Sequence, residues 1–315
     1  MDTPSPLVEA LDARWLKYSN NLEACRQEFS EEAVHDVRVS TRRLLALVEL
    51  LRALSPHPHL EELRRAFKDQ LDSYDDLRDT QVMLLRISAT LAGLPELAPY
   101  EEFLKKREEK LLRRAAQQVN AFGVTDKAPY IESTRQSLLA LTDGDELRQS
   151  LLPCVDEAYA VVLHRYNKVD SSRPSSIHRL RVAFKKLRYM LEIVQPLLPE
   201  IPARNFKDMH AYQTAMGDIQ DLEVLLAALA DFAKRRASYD PGPARRYFQR
   251  SHALALYTYL DGMQQVHTFW RPAPEAPFPW AASPRKKRKP ARQEASQQSA
   301  APVPGETDQE KGETS

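Results

Sequence analysis

Apolar residues recur at spacings of three and four from about residue 5 to about residue 270, a period that predicts a succession of amphipathic helices. Prolines fall between the periodic runs, at Pro56 and Pro58, Pro95 and Pro99, Pro129, Pro174, Pro196 to Pro202, and Pro241 and Pro243. Because proline interrupts a helix, these positions divide the chain. The division predicts about eight helices, over 5–28, 31–54, 59–92, 96–122, 130–168, 176–196, 203–237 and 243–270. Long helices joined by short connections imply antiparallel bundles.

The pattern also repeats. His35-Asp-Val-Arg38-Val39-Ser-Thr-Arg42-Arg43-Leu44 recurs as His178-Arg-Leu-Arg181-Val182-Ala-Phe-Lys185-Lys186-Leu187, at an offset of 143 residues. Downstream, Asp76-Leu-Arg-Asp79-Thr-Gln-Val82 matches Asp218-Ile-Gln-Asp221-Leu-Glu-Val224 at an offset of 142. Two matches at nearly one offset imply a duplicated four-helix unit, with repeat 1 over about 5–129 and repeat 2 over about 130–270. The expected fold is all-α: two pseudo-symmetric four-helix bundles followed by a disordered tail.

The repeated helix has two faces. With His35 placed at 0°, Arg38 falls at about 300°, Arg42 at about 340° and Arg43 at about 80°, while Val34, Val37, Leu44, Leu45, Val48 and Leu51 gather between about 160° and 280°. In the second copy His178, Arg181, Lys185, Tyr189 and Glu192 share one stripe, and Ile177, Leu180, Phe184, Leu187 and Leu191 form the apolar one. A lone basic stripe is the ordinary solvated face of an amphipathic helix. Two copies with the same residue types at the same angles favour a site. Residues one turn apart rise ~6 Å along the axis, a pitch that suits a polymer of closely spaced anions.

Composition changes this picture in three places. The 315 residues carry 45 Lys+Arg against 44 Asp+Glu, a net charge of +1, so the total charge gives no reason to expect a polyanion. The carboxylates that cancel the cations lie mostly elsewhere, with Asp69, Asp72, Asp76 and Asp79 on one predicted helix and Glu101, Glu102, Glu108 and Glu109 on another. The expectation is therefore a positive track on a neutral or acidic body, bordered by His35 and His178. Only 8 glycines are present, which argues against an all-β fold, and neither Gly-rich phosphate loop occurs. From Arg271 the chain turns proline-rich, with eight prolines from Pro272 to Pro304 and the basic run Arg285-Lys-Lys-Arg-Lys289; residues 271–315 read as a disordered tail. No apolar run reaches the ~18 residues of a membrane span, the first residues do not read as a signal peptide, and Cys25 and Cys154 form no disulfide framework. A cytoplasmic protein is expected.

The paired motifs resemble those of the CHAD family, the conserved histidine α-helical domain. Its hallmark, H-x-[LV]-R-[VI]-x-x-[RK]-[RK]-[LV], is matched at His35 to Leu44 and at His178 to Leu187, and Lys185-Lys-Leu-Arg-Tyr189-Met-Leu-Glu192 is similar to the family's K-K-L-R-Y-x-L-E. The resemblance covers about residues 5 to 270. It implies two four-helix bundles around a central basic groove, binding of inorganic polyphosphate, localisation to polyphosphate granules, and no catalysis, metal or cofactor. The E-x-E-x-K motif of the triphosphatase domain fused to some members is not found in this sequence. On this basis Arg38, Arg42, Arg43, Arg181, Lys185, Lys186 and Arg188 are expected to supply charge, His35 and His178 hydrogen bonds, with Tyr189 on the same stripe. Lys68, Lys207 and His210 are weaker candidates, and Arg78 with Asp79 is expected to form an interhelical ion pair.

Two other readings use the same residues. Asp75-Asp-Leu-Arg-Asp79 is a D-D-x-x-D that could hold Mg²⁺ for a diphosphate substrate if Asp75, Asp76 and Asp79 converged with Asp218 and Asp221. Nucleic acid could occupy the basic stripe, although no aromatic residues interleave it for base stacking.

Overall fold

The structure, a computed structural model, describes residues 6–139 and 145–281. The described residues form ten α-helices and no strand: α1 (Pro6–Gln27), α2 (Glu31–Leu54), α3 (Pro58–Asp72), α4 (Asp75–Thr90), α5 (Ala98–Ala121), α6 (Ala128–Leu139), α7 (Asp145–Tyr166), α8 (Pro174–Val194), α9 (Ala203–Lys234) and α10 (Gly242–Gly262). Short 3₁₀ turns precede α5 and follow α8 and α10.

Local chemistry accounts for most boundaries. Ser30 caps α2, its Oγ accepting from the Ala33 amide at 3.1 Å, with Glu31 and Glu32 complementing the positive helix end. Pro58 and Pro174 sit in the first turns of α3 and α8, where the missing amide hydrogen costs nothing.

One predicted helix, 59–92, is two. Ser73 Oγ donates back to the Gln70 carbonyl at 2.6 Å, Tyr74 turns fully into the core, and Asp75 and Asp76 restart the helix as its first-turn acids. The equivalent stretch of repeat 2, Ala215-Met216-Gly217, has neither the serine nor the acid pair, and α9 runs through it unbroken. The predicted helix 130–168 contains α6 and α7, and residues 140–144 lie outside the described chain.

The element order is consistent with a duplication. Helices α1, α2, α3 with α4, and α5 correspond in order to α7, α8, α9 and α10, while α6 packs on α1 and α3 between the two sets. The apolar core is shared rather than divided repeat by repeat. One cluster joins α1–α3 to α7, α8 and the first half of α9 through residues such as Val37, Leu44, Leu180 and Phe184. The other joins α4 and α5 to the second half of α9 and α10 through Ile87, Tyr100, Leu225 and Phe248. Helices α2 and α8, which carry the repeated motif, pack on each other across the repeats.

The tail does not begin where the composition changes. Phe269 and Trp270 are fully buried, Trp270 Nε1 donates to Asp156 at 2.7 Å, and Arg271 donates to both oxygens of the same carboxylate at 2.9 and 2.6 Å. Phe278 stacks on Trp280 at 4.9 Å and both rest on the core, so the proline-rich segment stays docked to Ala281 through its aromatic residues. The basic run Arg285–Lys289 lies outside the described residues.

Candidate functional site

The basic faces of α2 and α8 meet beside α4 and α9 in a cluster of five cations: Arg38, Arg42, Arg78, Arg181 and Lys185. Arg38 is 7% exposed, and its Nε and Nη2 have no hydrogen-bond partner. The carboxylate nearest to it is Asp75, with Oδ1 4.0 Å from Nη2. Burial, then the charges of Arg42 and Arg78, lower the Arg38 pKa to about 10, against the opposing pull of Asp75 and Asp79. Arg181 occupies the same position in repeat 2, and its Nε is likewise buried without a partner. Burial and the nearby Arg78 also lower its pKa. Lys185 stands where repeat 1 has Arg42; burial and then Arg42 and Arg181 bring its pKa down to about 7. Among the described residues no carboxylate lies within ion-pair distance of Arg42, Arg181 or Lys185.

The repeats differ beside this cluster. Asp75 faces Arg38, whereas Gly217, at the matching position of α9, faces Arg181; a Cβ on residue 217 would lie 3.4 Å from Arg181 Nε and Nη2. Repeat 2 thus presents its arginine without an acid. Arg78 is the exception among the five. Burial opposes its charge, but Asp221 and Asp79 outweigh that and raise its pKa, with hydrogen bonds of 3.1 Å to Asp221 and 3.0 Å to Asp79.

Two members of the cluster, Arg42 and Lys185, line a cleft of about 660 Å³ between α2, α3, α7 and α8. Arg42, Lys68, Arg165, Arg179, Lys185 and Lys186 line it, with His178, against the carboxylates Glu49, Asp72 and Asp75. A second, smaller cleft of about 350 Å³ lies across the α2–α8 contact, lined by Arg14, Lys17, Arg43 and Glu192; Ala46 and Tyr189 border both.

The structure sorts the residues picked from the sequence. It brings Arg38, Arg42, Arg181 and Lys185 together, and places Lys186 and His178 at the cleft wall, Lys186 lying 3.7 Å from Glu49 and His178 Nδ1 bonded to the Gln220 side chain. Arg43 faces the second cleft instead. His35 is exposed on α2 and is not among the residues lining either cleft. Arg188 lines neither cleft and is already engaged: its Nη1 donates to Glu192 at 2.6 Å, its Nε to Gln213 at 3.0 Å, and its guanidinium lies 4.6 Å from the Tyr189 ring. Lys68 reaches the cleft but pairs with Asp72. Lys207 and His210 are exposed on α9 outside it. Arg14, Lys17, Arg165 and Arg179 were not anticipated. Arg179 is legible as the neighbour of His178, but Arg14, Lys17 and Arg165 sit on α1 and α7, outside the repeated motif.

The expected Arg78–Asp79 pair is within one helix; the interhelical bond runs from Arg78 to Asp221. The carboxylate convergence required for a metal–diphosphate site is not formed. Asp76 is bonded by Arg107 at 3.1 Å, Asp218 by Arg86 at 2.6 Å, and Asp79 and Asp221 by Arg78. Among the described residues no three His, Cys, Asp or Glu side chains are grouped to hold a metal ion. Arginines bridging α4 and α9 occupy the positions where a cation would have to sit. No helix of the described residues is long and apolar enough to cross a membrane.

Comparisons with known proteins agree with this architecture. The CHAD domain profile matches residues 9–230. The crystal structure of the CHAD domain from the plant Ricinus communis is similar in fold, with a TM-score of 0.65 and 21% identity over 84% of this chain and 93% of that one. PptA from Streptomyces chartreusis is also similar, with a TM-score of 0.60 and 16% identity over 84% of this chain and 99% of that one. No curated protein sequence matches significantly.

Proposed function

The chain belongs to the CHAD domain family, and on that premise we propose that it binds inorganic polyphosphate in the cleft between α2 and α8, and that this binding holds it at polyphosphate granules in the cytoplasm. The observation that carries the reading is the Arg38–Arg181–Lys185 cluster. Arg38 Nε and Nη2 and Arg181 Nε are buried without acceptors, and Lys185 beside them lines, with Arg42, a cleft where six basic residues face three carboxylates. A buried donor without an acceptor costs about 1–3 kcal/mol, more when charged, and a phosphate oxygen relieves that cost. Arginine suits the task, because its planar fork matches phosphate geometry. A second basic pocket shares Ala46 and Tyr189 with the first, giving a chain of anions more than one place to bind.

Titration with polyphosphate at several salt concentrations tests this. Affinity is expected to fall steeply as salt rises, through counterion release. A triple Arg42/Lys185/Lys186→Ala variant is expected to bind at least tenfold more weakly and to show a salt slope shallower by about two to three. Affinity that is unchanged in that variant, or independent of salt, refutes the reading. Stronger competition by duplex DNA than by polyphosphate in a gel shift would favour nucleic acid instead. Retention on a polyphosphate column only when residues 282–315 are present would move the site to the tail. Orthophosphate released from the polymer would count against a pure binding module.

A further inference from the structure

We propose that Lys185 makes polyanion binding in this cleft proton-coupled, losing its proton in the anion-free protein and regaining it as the anion enters, so that affinity falls as pH rises above neutrality. The inference rests on the binding reading above and adds a regulation that the reading does not contain.

The geometry carries it. Lys185 is a largely buried residue of the cleft lining, at the position where repeat 1 has Arg42. The charges facing it are mostly of its own sign. Arg42 comes from α2, Arg78 from α4, Arg181 and Lys186 from its own helix, and Arg165 from α7. The acids nearby are engaged or shared: Asp75 of α4 faces Arg38, Glu49 of α2 faces Lys186, Asp72 of α3 pairs with Lys68, and Asp221 of α9 holds Arg78. An ammonium in such a place is opposed by desolvation and by its neighbours, and both effects lower its pKa, here to about 7. Arginine does not yield a proton under the same pressure, because its pKa lies too high. Lys185 is therefore the member of the cluster that titrates near neutrality. An entering polyphosphate brings negative charge against it and restores the ammonium. By linkage, binding that takes up a proton weakens with rising pH. His178 also lines the cleft, with its Nδ1 bonded to the Gln220 side chain; terminal phosphates titrate near 6 and have finished by pH 7.5.

The test is the polyphosphate affinity of the full chain from pH 7.5 to 9.0 at constant ionic strength, with calorimetry in two buffers of different ionisation enthalpy. The wild type is expected to weaken at least tenfold across that range and to take up close to one proton per Lys185 at pH 8. Lys185→Arg, which copies repeat 1, is expected to bind at pH 7.5 and to lose affinity no more than about twofold by pH 9. Equal pH dependence in the wild type and Lys185→Arg overturns the proposal, as does negligible proton uptake by the wild type at pH 8, a measurement that needs no variant. Failure of the wild type to bind polyphosphate at any pH instead overturns the binding reading on which the proposal rests.

Discussion

Gly217→Asp puts the difference between the two repeats to a direct test. It gives α9 the acid that repeat 1 carries as Asp75, at a position where a Cβ would lie 3.4 Å from Arg181 Nε. The atoms it would meet are the far end of a flexible side chain, so the space is available. Arg181 Nε is now a buried donor without a partner. A hydrogen bond to a charged group contributes about 1.5–3 kcal/mol. Replacing a mid-helix glycine adds a few tenths of a kcal/mol. Desolvating the new carboxylate takes part of this back, leaving a net stabilisation of about 1–2 kcal/mol, or roughly 2–4 °C in Tm for a chain of this length. Binding should move the other way. With Arg181 neutralised, polyphosphate affinity should fall about tenfold at low salt, and the slope of log K against log salt should lose about one unit. Gly217→Ala is the control: stability up by as much as about 1 kcal/mol, affinity unchanged. Thermal denaturation and a salt-dependent binding series measure both quantities. A Gly217→Asp protein that is less stable, or that binds as tightly as the wild type, would refute the idea that Arg181 is held as a free donor beside the cleft residues Arg42 and Lys185.

Three further outcomes follow from the same contacts. The folded-state pKa of Lys185 lies below that of the unfolded chain, so its cost to stability is fully present below pH 7 and fades as pH rises toward 10.5. Lys185→Met should therefore exceed the wild type in stability by about 1–3 kcal/mol at pH 7 and by little at pH 10, in urea unfolding at the two pH values. Arg188→Ala should cost about 1–2 kcal/mol of stability, through its bonds to Glu192 and Gln213, yet change polyphosphate affinity less than about twofold. Trp270→Ala should destabilise by about 3–5 kcal/mol in denaturant titration, because the indole is fully buried and bonded to Asp156.

Each residue that the sequence reading placed well was legible for a local reason. The apolar period marked the helices, proline marked most of their ends, and the duplicated motif marked Arg38, Arg42, Arg181 and Lys185 as one stripe written twice. Other placements rest on contacts that the pattern does not contain. Arg188 shares the motif with Lys185, but its guanidinium is engaged by Glu192 and Gln213 and lines neither cleft. Arg43 and Lys186 occupy matching positions in the two repeats and face different clefts, because α2 and α8 each present two sides where they cross. Composition marks a tail from Arg271, yet Trp270, Phe278 and Trp280 hold residues 271–281 on the core; the rest of that expected tail lies outside the described residues.

The sequence by itself determined most of the helices, the recurrence of one motif on two of them, and the residue types on each recurring face. These follow from spacing along one chain, and a helix transmits spacing directly into angle. Tertiary structure decided which cations are free. The acids that silence Arg78, Arg86 and Arg107 come from positions 31 to 143 residues away, and the acid missing beside Arg181 is a glycine on another helix. Whether a charge is paired, buried or exposed depends on what packs against it, and no helical wheel contains its neighbours.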